Sequence, residues 1–216
     1  MDELLDPSGA PRPVAAALMS LIDRLGEDEL RERQELAELD IQAMGITFTV
    51  YSDGQNIDRA WPFDIIPRTI DGREWDTISL GLQQRLIALN RFIDDLYNDQ
   101  AIIRDGVFPA DLLEASVNYR PQLRGVHPRF GVWAHISGTD LVRDDDGQMY
   151  VLEDNLRVPS GVSYVIENRG VTKRAFAELF ERQRIRPVDS YTDALNELLS
   201  SLAPEGRDDP LIAVLT

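Results

Sequence analysis

The amino-acid sequence predicts an α+β fold in which helices pack outside a small mixed or antiparallel sheet, and three observations predict it. Ile78, Leu82, Leu86, Leu89, Phe92, Ile93 and Leu96 recur at helical spacing. Ile46-Thr47-Phe48-Thr49-Val50-Tyr51 is dense in β-branched and aromatic residues, as strands are. Leu141-Val142 and Met149-Tyr150-Val151-Leu152 flank Asp146-Gly147, the strongest short hairpin signal.

The elements follow in order. Pro13 suits the first turn of a helix over 14–25, with Gly26 as its stop. A charged helix is expected over 27–44, ended by Gly45. The strand at 46–51 is followed by a second, short one at Trp61–Ile66, bounded by Pro62 and Pro67. A long helix should span 76–98, and Pro109 can open a short one over 110–117. Residues 132–142 and 148–154 form the central hairpin. Residues 163–168 read as strand or loop, 172–181 and 191–202 as helices, 204–210 as a linker and 211–216 as a buried strand. Trp61, Trp75 and Trp133 read as core. The domain division expected is a helical segment (1–45), a central portion (46–203), and a linker with the first strand of a following α/β domain (204–216). An apolar strand after a polar linker usually opens an α/β unit, so the chain is expected to be an N-terminal part of something longer.

At 216 residues, with 43% hydrophobic and 28% charged residues, the chain can bury a real core. Its net charge of −16 opposes nucleic acid and anionic membrane as partners, since both select basic surface. A nucleotide is not opposed, because a cation and local arginines offset the field. Having no cysteine, the chain can form no disulfide, zinc-thiolate site or cysteine nucleophile. That fits a cytoplasmic location, as does the lack of a signal-peptide pattern or a long apolar run. No Gly-rich phosphate loop is present.

The hairpin carries the chemistry. A two-residue loop at Asp146-Gly147 would place Asp140 opposite Glu153, with Asn155 and Val142 on the same face and Val151 across from Val142. Facing carboxylates repel unless water screens them, a proton is shared or a cation lies between. Two carboxylates and an amide oxygen suit a hard cation such as Mg²⁺, although a solvated acidic hairpin would have the same composition. A calcium loop is the nearest competitor, and it is opposed because Val142 would occupy its first ligand position and the flanks are strand-like.

Arginines surround the hairpin: Arg120, Arg124 and Arg129 before it, Arg157 and Arg169 after it. Guanidinium groups bind phosphate and carboxylate through paired donors. Arg157, two residues beyond Asn155, shares its face if the strand continues; the alternative is an ion pair with Asp154 or Glu167. Arg124, Arg157, Arg169 and Ser160 are the candidate nucleotide-binding residues. Arg120, Arg124 and Arg129 also read as plain surface residues, and Ser160-Gly161 as either an anion-binding turn or a simple one. Asp154 points away from Glu153. His127 and His135 read as structural.

Asp140, Glu153-x-Asn155 and Pro159-Ser160-Gly161 resemble the Mg²⁺-binding strands of ATP-grasp ligases. With Pro62–Arg68, Glu74-Trp75, Gly81–Arg85, Ala88–Phe92, Asp105-Gly106-Val107, His135–Arg143 and Glu153–Tyr164, the chain is similar to circularly permuted type 2 ATP-grasp proteins, relatives of glutathionylspermidine synthase. The resemblance implies an ATP-grasp-like, circularly permuted and truncated fold. It also implies ATP and Mg²⁺ as cofactors, and ligation of a small-molecule or peptide carboxylate to an amine through an acyl phosphate. Asp140, Glu153 and Asn155 would hold the metal, and Arg157 would stabilise the transferring group. The resemblance further suggests a helical alpha-E or transglutaminase-like protein partner, and it places the adenine and lysine contacts beyond Thr216. Two other classes remain: a non-catalytic peptide- or partner-binding module on the same scaffold, and a metal-dependent phosphohydrolase.

Overall fold

The computed structural model describes residues 2–52, 55–207 and 209–213. The chain divides into two compact units, residues 1–71 with 161–216 and residues 72–160.

In the first unit, helix α1 (Ala16–Ala43) is two helices broken at Gly26, whose φ of +74° stops the first one where the sequence predicts. Leu18, Leu21, Ala37 and Ile41 of α1 build the core with Ile65, Val171, Phe176 and Leu179. Arg33 donates to Glu29, to Glu178 and to the Ala175 carbonyl, so one guanidinium ties α1 to the turn between the last two core helices. These are α5 (Val162–Ala175) and α6 (Ala177–Arg182). The strand or loop expected at 163–168 is therefore helix. The β-branched Val162, Val165 and Ile166 mislead locally, and tertiary contacts override them. Tyr164 stacks on Trp61 at 4.1 Å and donates to the Thr47 carbonyl.

Strand β1 (Thr47–Ser52) forms as expected, but it pairs antiparallel with β2 (Gln55–Ala60) and not with 61–66. Among the described residues only the Trp61 N–H follows the hairpin, donating to the Ile46 carbonyl; Phe63 and Ile65 spend backbone groups elsewhere. Gln34 donates to the Phe63 carbonyl (2.6 Å) and accepts from the Ile65 N–H (3.1 Å), while Pro62 has no N–H to offer a ladder. Helix α7 (Tyr191–Ser201) matches its expected span. The strand expected at 211–216 is not formed over its described part: Leu211–Ala213 is irregular and exposed, with no described segment pairing with it, and 214–216 lie outside the described residues.

In the second unit, α2 (Gly72–Tyr97) runs as one helix from four residues before its expected start. Short α3 (Ala101–Arg104) and α4 (Ala110–Ala115) follow, then 3-10 turns at Pro121–Leu123 and Arg129–Gly131. The Asp95 carboxylate accepts from the Ala101 and Ile102 N–H groups, satisfying two orphan donors at the start of α3. The unit's hairpin is β3 (Gly138–Arg143) with β4 (Met149–Asn155). Residues 132–137 were expected to extend β3 but are irregular. The Asn90 side chain accepts the Trp133 and Ala134 N–H groups at 2.7 and 2.9 Å, and Trp133 Nε1 donates to Asp94. Trp133 also stacks on Tyr97, which stacks on Tyr119. Trp75, expected in the core, is exposed. The sheet content among the described residues is two separate antiparallel hairpins, with helices in the same units. Among the described residues no helix is long and apolar enough to cross a membrane.

Candidate active site

The expected rung forms, by a different route. Gly147 N–H donates to the Asp144 carbonyl and Asp144 N–H to the Gln148 carbonyl, both at 3.0 Å, and Gly147 has φ +86°. The loop is therefore three residues, Asp145–Gly147, with glycine in the left-handed position, and not the two-residue loop expected. Asp144 and Asp146 spend carboxylate oxygens on the Asp146 and Gln148 N–H groups, which stiffens the turn. Near the turn the pairs are Arg143↔Met149, Val142↔Tyr150 and Leu141↔Val151. A bulge at Leu152 then shifts the register by one, and Asp140↔Glu153, Thr139↔Asp154 and Gly138↔Asn155 follow.

The two faces differ in character. Asp140, Val142, Tyr150, Leu152, Glu153 and Asn155 are exposed, while Thr139, Leu141, Arg143, Val151 and Asp154 are half-buried. Val151 therefore does not share the acidic face, contrary to expectation, because the three-residue loop moves it opposite Leu141. The acidic face is open to water, with Leu152 72% exposed. Asn155 Nδ2 donates to Glu153 Oε1 at 3.0 Å, so the two side chains meet and the amide oxygen is left for another partner. Facing carboxylates with an adjacent amide oxygen fit a hard, oxygen-seeking cation that keeps water or phosphate in its remaining positions. Among the described residues no three His, Cys, Asp or Glu side chains converge, so this donor set would be completed from outside those residue types.

The back of the hairpin is tied to α2 at two points. Arg143 bonds Glu74 (2.5 Å) and the Gly147 carbonyl (2.8 Å). Arg85 pairs with Asp154 at 2.7 Å, and Asp154 also accepts from Thr139 Oγ1 at 3.0 Å. Sequence reasoning left Arg85 without a role and did not single out Thr139 or the Arg143–Glu74 pair. The signal available was parity, since the residues next to the site on each strand must face the other way. The Asp154 side chain is 9% exposed. The Arg85 guanidinium, and then the Thr139 hydroxyl, hold its carboxyl below the ordinary carboxylate range. A group so depressed contributes stability above its unfolded value of about 3.9 and loses it as pH falls through the lower folded value. Urea midpoints should therefore show Asp154→Asn less stable than wild type at pH 7, with the gap closing below about pH 4.

Strand β4 ends at Asn155, so Arg157 does not continue its alternation. Val158, β-branched and ahead of Pro159, has φ +46°, a conformation costing on the order of 1–3 kcal/mol. The chain turns there, and Pro159 Cβ comes within 3.2 Å of where a Cβ on Gly138 would be, so a side chain at the start of β3 would press on Pro159 and push it back by a few tenths of an ångström. Arg157 is exposed and makes neither of its alternative ion pairs; Asp154 is taken by Arg85, and among the described residues Arg157 has no hydrogen bond or ion pair. Ser160 is exposed just before the left-handed Gly161 that precedes α5.

Arg124 donates to the Tyr119 hydroxyl at 2.7 Å and lies over its ring, beside an open cleft of about 430 Å³ lined also by Tyr97, Gln100 and His127. Arg120 donates to the Val117 carbonyl, and Arg129 packs over Phe130. Arg169 belongs to the first unit, where it donates to the Arg186 carbonyl at 2.7 Å and lies over Phe180. The structure thus brings together Asp140, Glu153 and Asn155, and gives Arg124 and Arg169 local partners of their own.

The geometry is a helix-backed hairpin with paired carboxylates on its open face, and sequence comparison supplies the family. Residues 67–216 match the circularly permuted ATP-grasp type 2 family, and the chain belongs to it. Over its full length it is 47% identical to an uncharacterized protein of Synechocystis and 40% identical to one of Mycobacterium leprae, covering 45% and 38% of those proteins. It is 38% identical to a protein of Frankia casuarinae named "Putative glutamate--cysteine ligase 2-2", of which it covers 25%. The chain spans less than half the length of these relatives.

Proposed function

We propose that this chain supplies the metal-binding part of an ATP-dependent carboxylate–amine ligase. The observation that carries the reading is the Asp140–Glu153 rung with Asn155 beside it, on an open face in an ATP-grasp family member. The ligase name of the Frankia relative supports the reaction class. In this reading ATP transfers its terminal phosphoryl group to a small-molecule or peptide carboxylate, releasing ADP. An amine then attacks the acyl phosphate, and the amide forms as phosphate leaves. Asp140, Glu153 and Asn155 would hold Mg²⁺, which supplies charge neutralisation at the phosphates. Arg157, with no competing partner among the described residues, binds the transferring phosphoryl group, while Ser160 and Arg124 contribute to nucleotide binding. Positioning and electrostatics carry phosphoryl transfer, so no side-chain nucleophile is required. A cytoplasmic location and a helical alpha-E or transglutaminase-like partner belong to the same proposal.

The test is ADP release by the complete ligase of which this chain is proposed to supply a part, with acid and amine supplied together and separately. A ligase forms ADP only with both; phosphate release without them indicates a phosphohydrolase, and no turnover indicates a binding module.

A further inference from the structure

The hairpin contains two competing registers. The turn dictates Arg143↔Met149, Val142↔Tyr150 and Leu141↔Val151. Continued without interruption, that register would set Asp140 opposite Leu152, Thr139 opposite Glu153 and Gly138 opposite Asp154. Because side chains alternate, this one-residue difference sends Glu153 to the back of the hairpin and Asp154 to the front. The bulge at Leu152 prevents it, at the expense of regular ladder pairing there.

We infer that the Thr139–Asp154–Arg85 cluster is a register lock that keeps Glu153 and Asn155 on the acidic face. The back-face rung Thr139↔Asp154 lies between the two front-face rungs, Asp140↔Glu153 and Gly138↔Asn155. Its side chains bond across the strands at 3.0 Å, and Arg85 of α2 holds the same carboxylate at 2.7 Å. Asp154 meets both partners only where it faces Thr139 on the α2 side. After the slip it would lie opposite Gly138, which has no side chain to bond. Thr139, Asp154 and Arg85 are thus positioning residues. Their importance for metal binding rests on the proposed function, but the register they select does not.

The chain has no cysteine, so cross-strand disulfides can read the register directly. An antiparallel pair has Cα atoms about 4.5–5.5 Å apart, within disulfide reach. The double variant Asp140→Cys/Glu153→Cys should oxidise readily, and adding Asp154→Ala or Thr139→Val should slow its closure at least about tenfold. Thr139→Ser should restore it. The pair Val142→Cys/Tyr150→Cys, on the turn side of the bulge, should close at the same rate in every background and so report that the hairpin is still formed. Equal closure of the 140/153 pair with and without Asp154→Ala and Thr139→Val would overturn the lock. So would a parallel loss at 142/150, which would make the cluster a general stabiliser. The 140/153 variants lack both proposed metal-site carboxylates, and the readout is disulfide closure in every variant, so the result stands apart from Mn²⁺ binding. A Mn²⁺ titration of Asp154→Ala alone, with both carboxylates present, should then show weaker binding than wild type.

Discussion

Glu153→Gln should weaken Mn²⁺ binding at least about tenfold, because even the outer partners of metal ligands are worth ~10–100-fold in affinity. The substitution keeps the size of the side chain and lets Asn155 Nδ2 retain an oxygen acceptor, so the hairpin should keep its shape. What is lost is one of two negative charges on adjacent strands. The informative control is Asp146→Asn. Asp146 also carries a carboxylate and belongs to the same hairpin, but that carboxylate serves the Gln148 N–H in the turn, a task that an amide oxygen also performs. At a net charge of −16, diffuse attraction of cations by the whole surface would be reduced about equally by either change. A specific site responds to Glu153→Gln and not to Asp146→Asn. Electron paramagnetic resonance of Mn²⁺ with each variant separates the two cases, and equal responses would leave the acidic face a solvated surface. If the proposed ligase function holds, ATP-dependent ligation by the complete ligase should fall in step with metal affinity.

The sequence exposed this site through two opposite errors. A two-residue loop was expected and a three-residue loop formed, which by itself would have paired Asp140 with Leu152. The bulge at Leu152 restores the pairing with Glu153. Neither feature has a simple local signature: Asp-Gly serves both loop lengths, and nothing in Val151-Leu152-Glu153 announces an inserted residue. Alternation placed Asp154 on the back, but not its partner, because Arg85 lies sixty-nine residues earlier on α2. Long helices were legible where apolar spacing was strong, as in α2 and α7. Strands were legible where β-branched residues clustered, as in β1. The polar Gln55–Ala60 was missed as a strand although Asp53-Gly54 precedes it in sequence, the same kind of signal that marked the later hairpin. Residues 132–137 and 61–66 look strand-like by composition. Asn90 takes the Trp133 and Ala134 N–H groups, and Gln34 takes the Phe63 carbonyl and the Ile65 N–H, both being side chains that only the folded chain brings near.

Phe176→Ala should destabilise the first unit by about 3–5 kcal/mol, the usual range for removing a buried aromatic ring. Phe176 is fully buried, at the break between α5 and α6, with φ −129°. Its N–H bonds the Thr172 carbonyl and its carbonyl accepts from Leu179, so the backbone there is held from both sides. The core around the ring draws on Leu18 and Ile41 of α1 as well as Val171 and Leu179. Two helices approach the ring from distant parts of the chain, so neither can close the void without giving up contacts elsewhere, which puts the cost toward the upper end of the range. Domains hold only about 5–15 kcal/mol in total, so the loss is a large share. Phe176→Leu retains most of the apolar volume and should cost clearly less. Urea unfolding followed by circular dichroism measures both. A cost under about 1 kcal/mol for Phe176→Ala would mean that the ring is not enclosed by α1. The Arg33 clamp then gives an independent check, because it joins the same elements through the Ala175 carbonyl and Glu178. If Phe176 cements α1 to α5, Arg33→Ala should cost less in the Phe176→Ala background than alone, since contacts that share one packing interface are not additive.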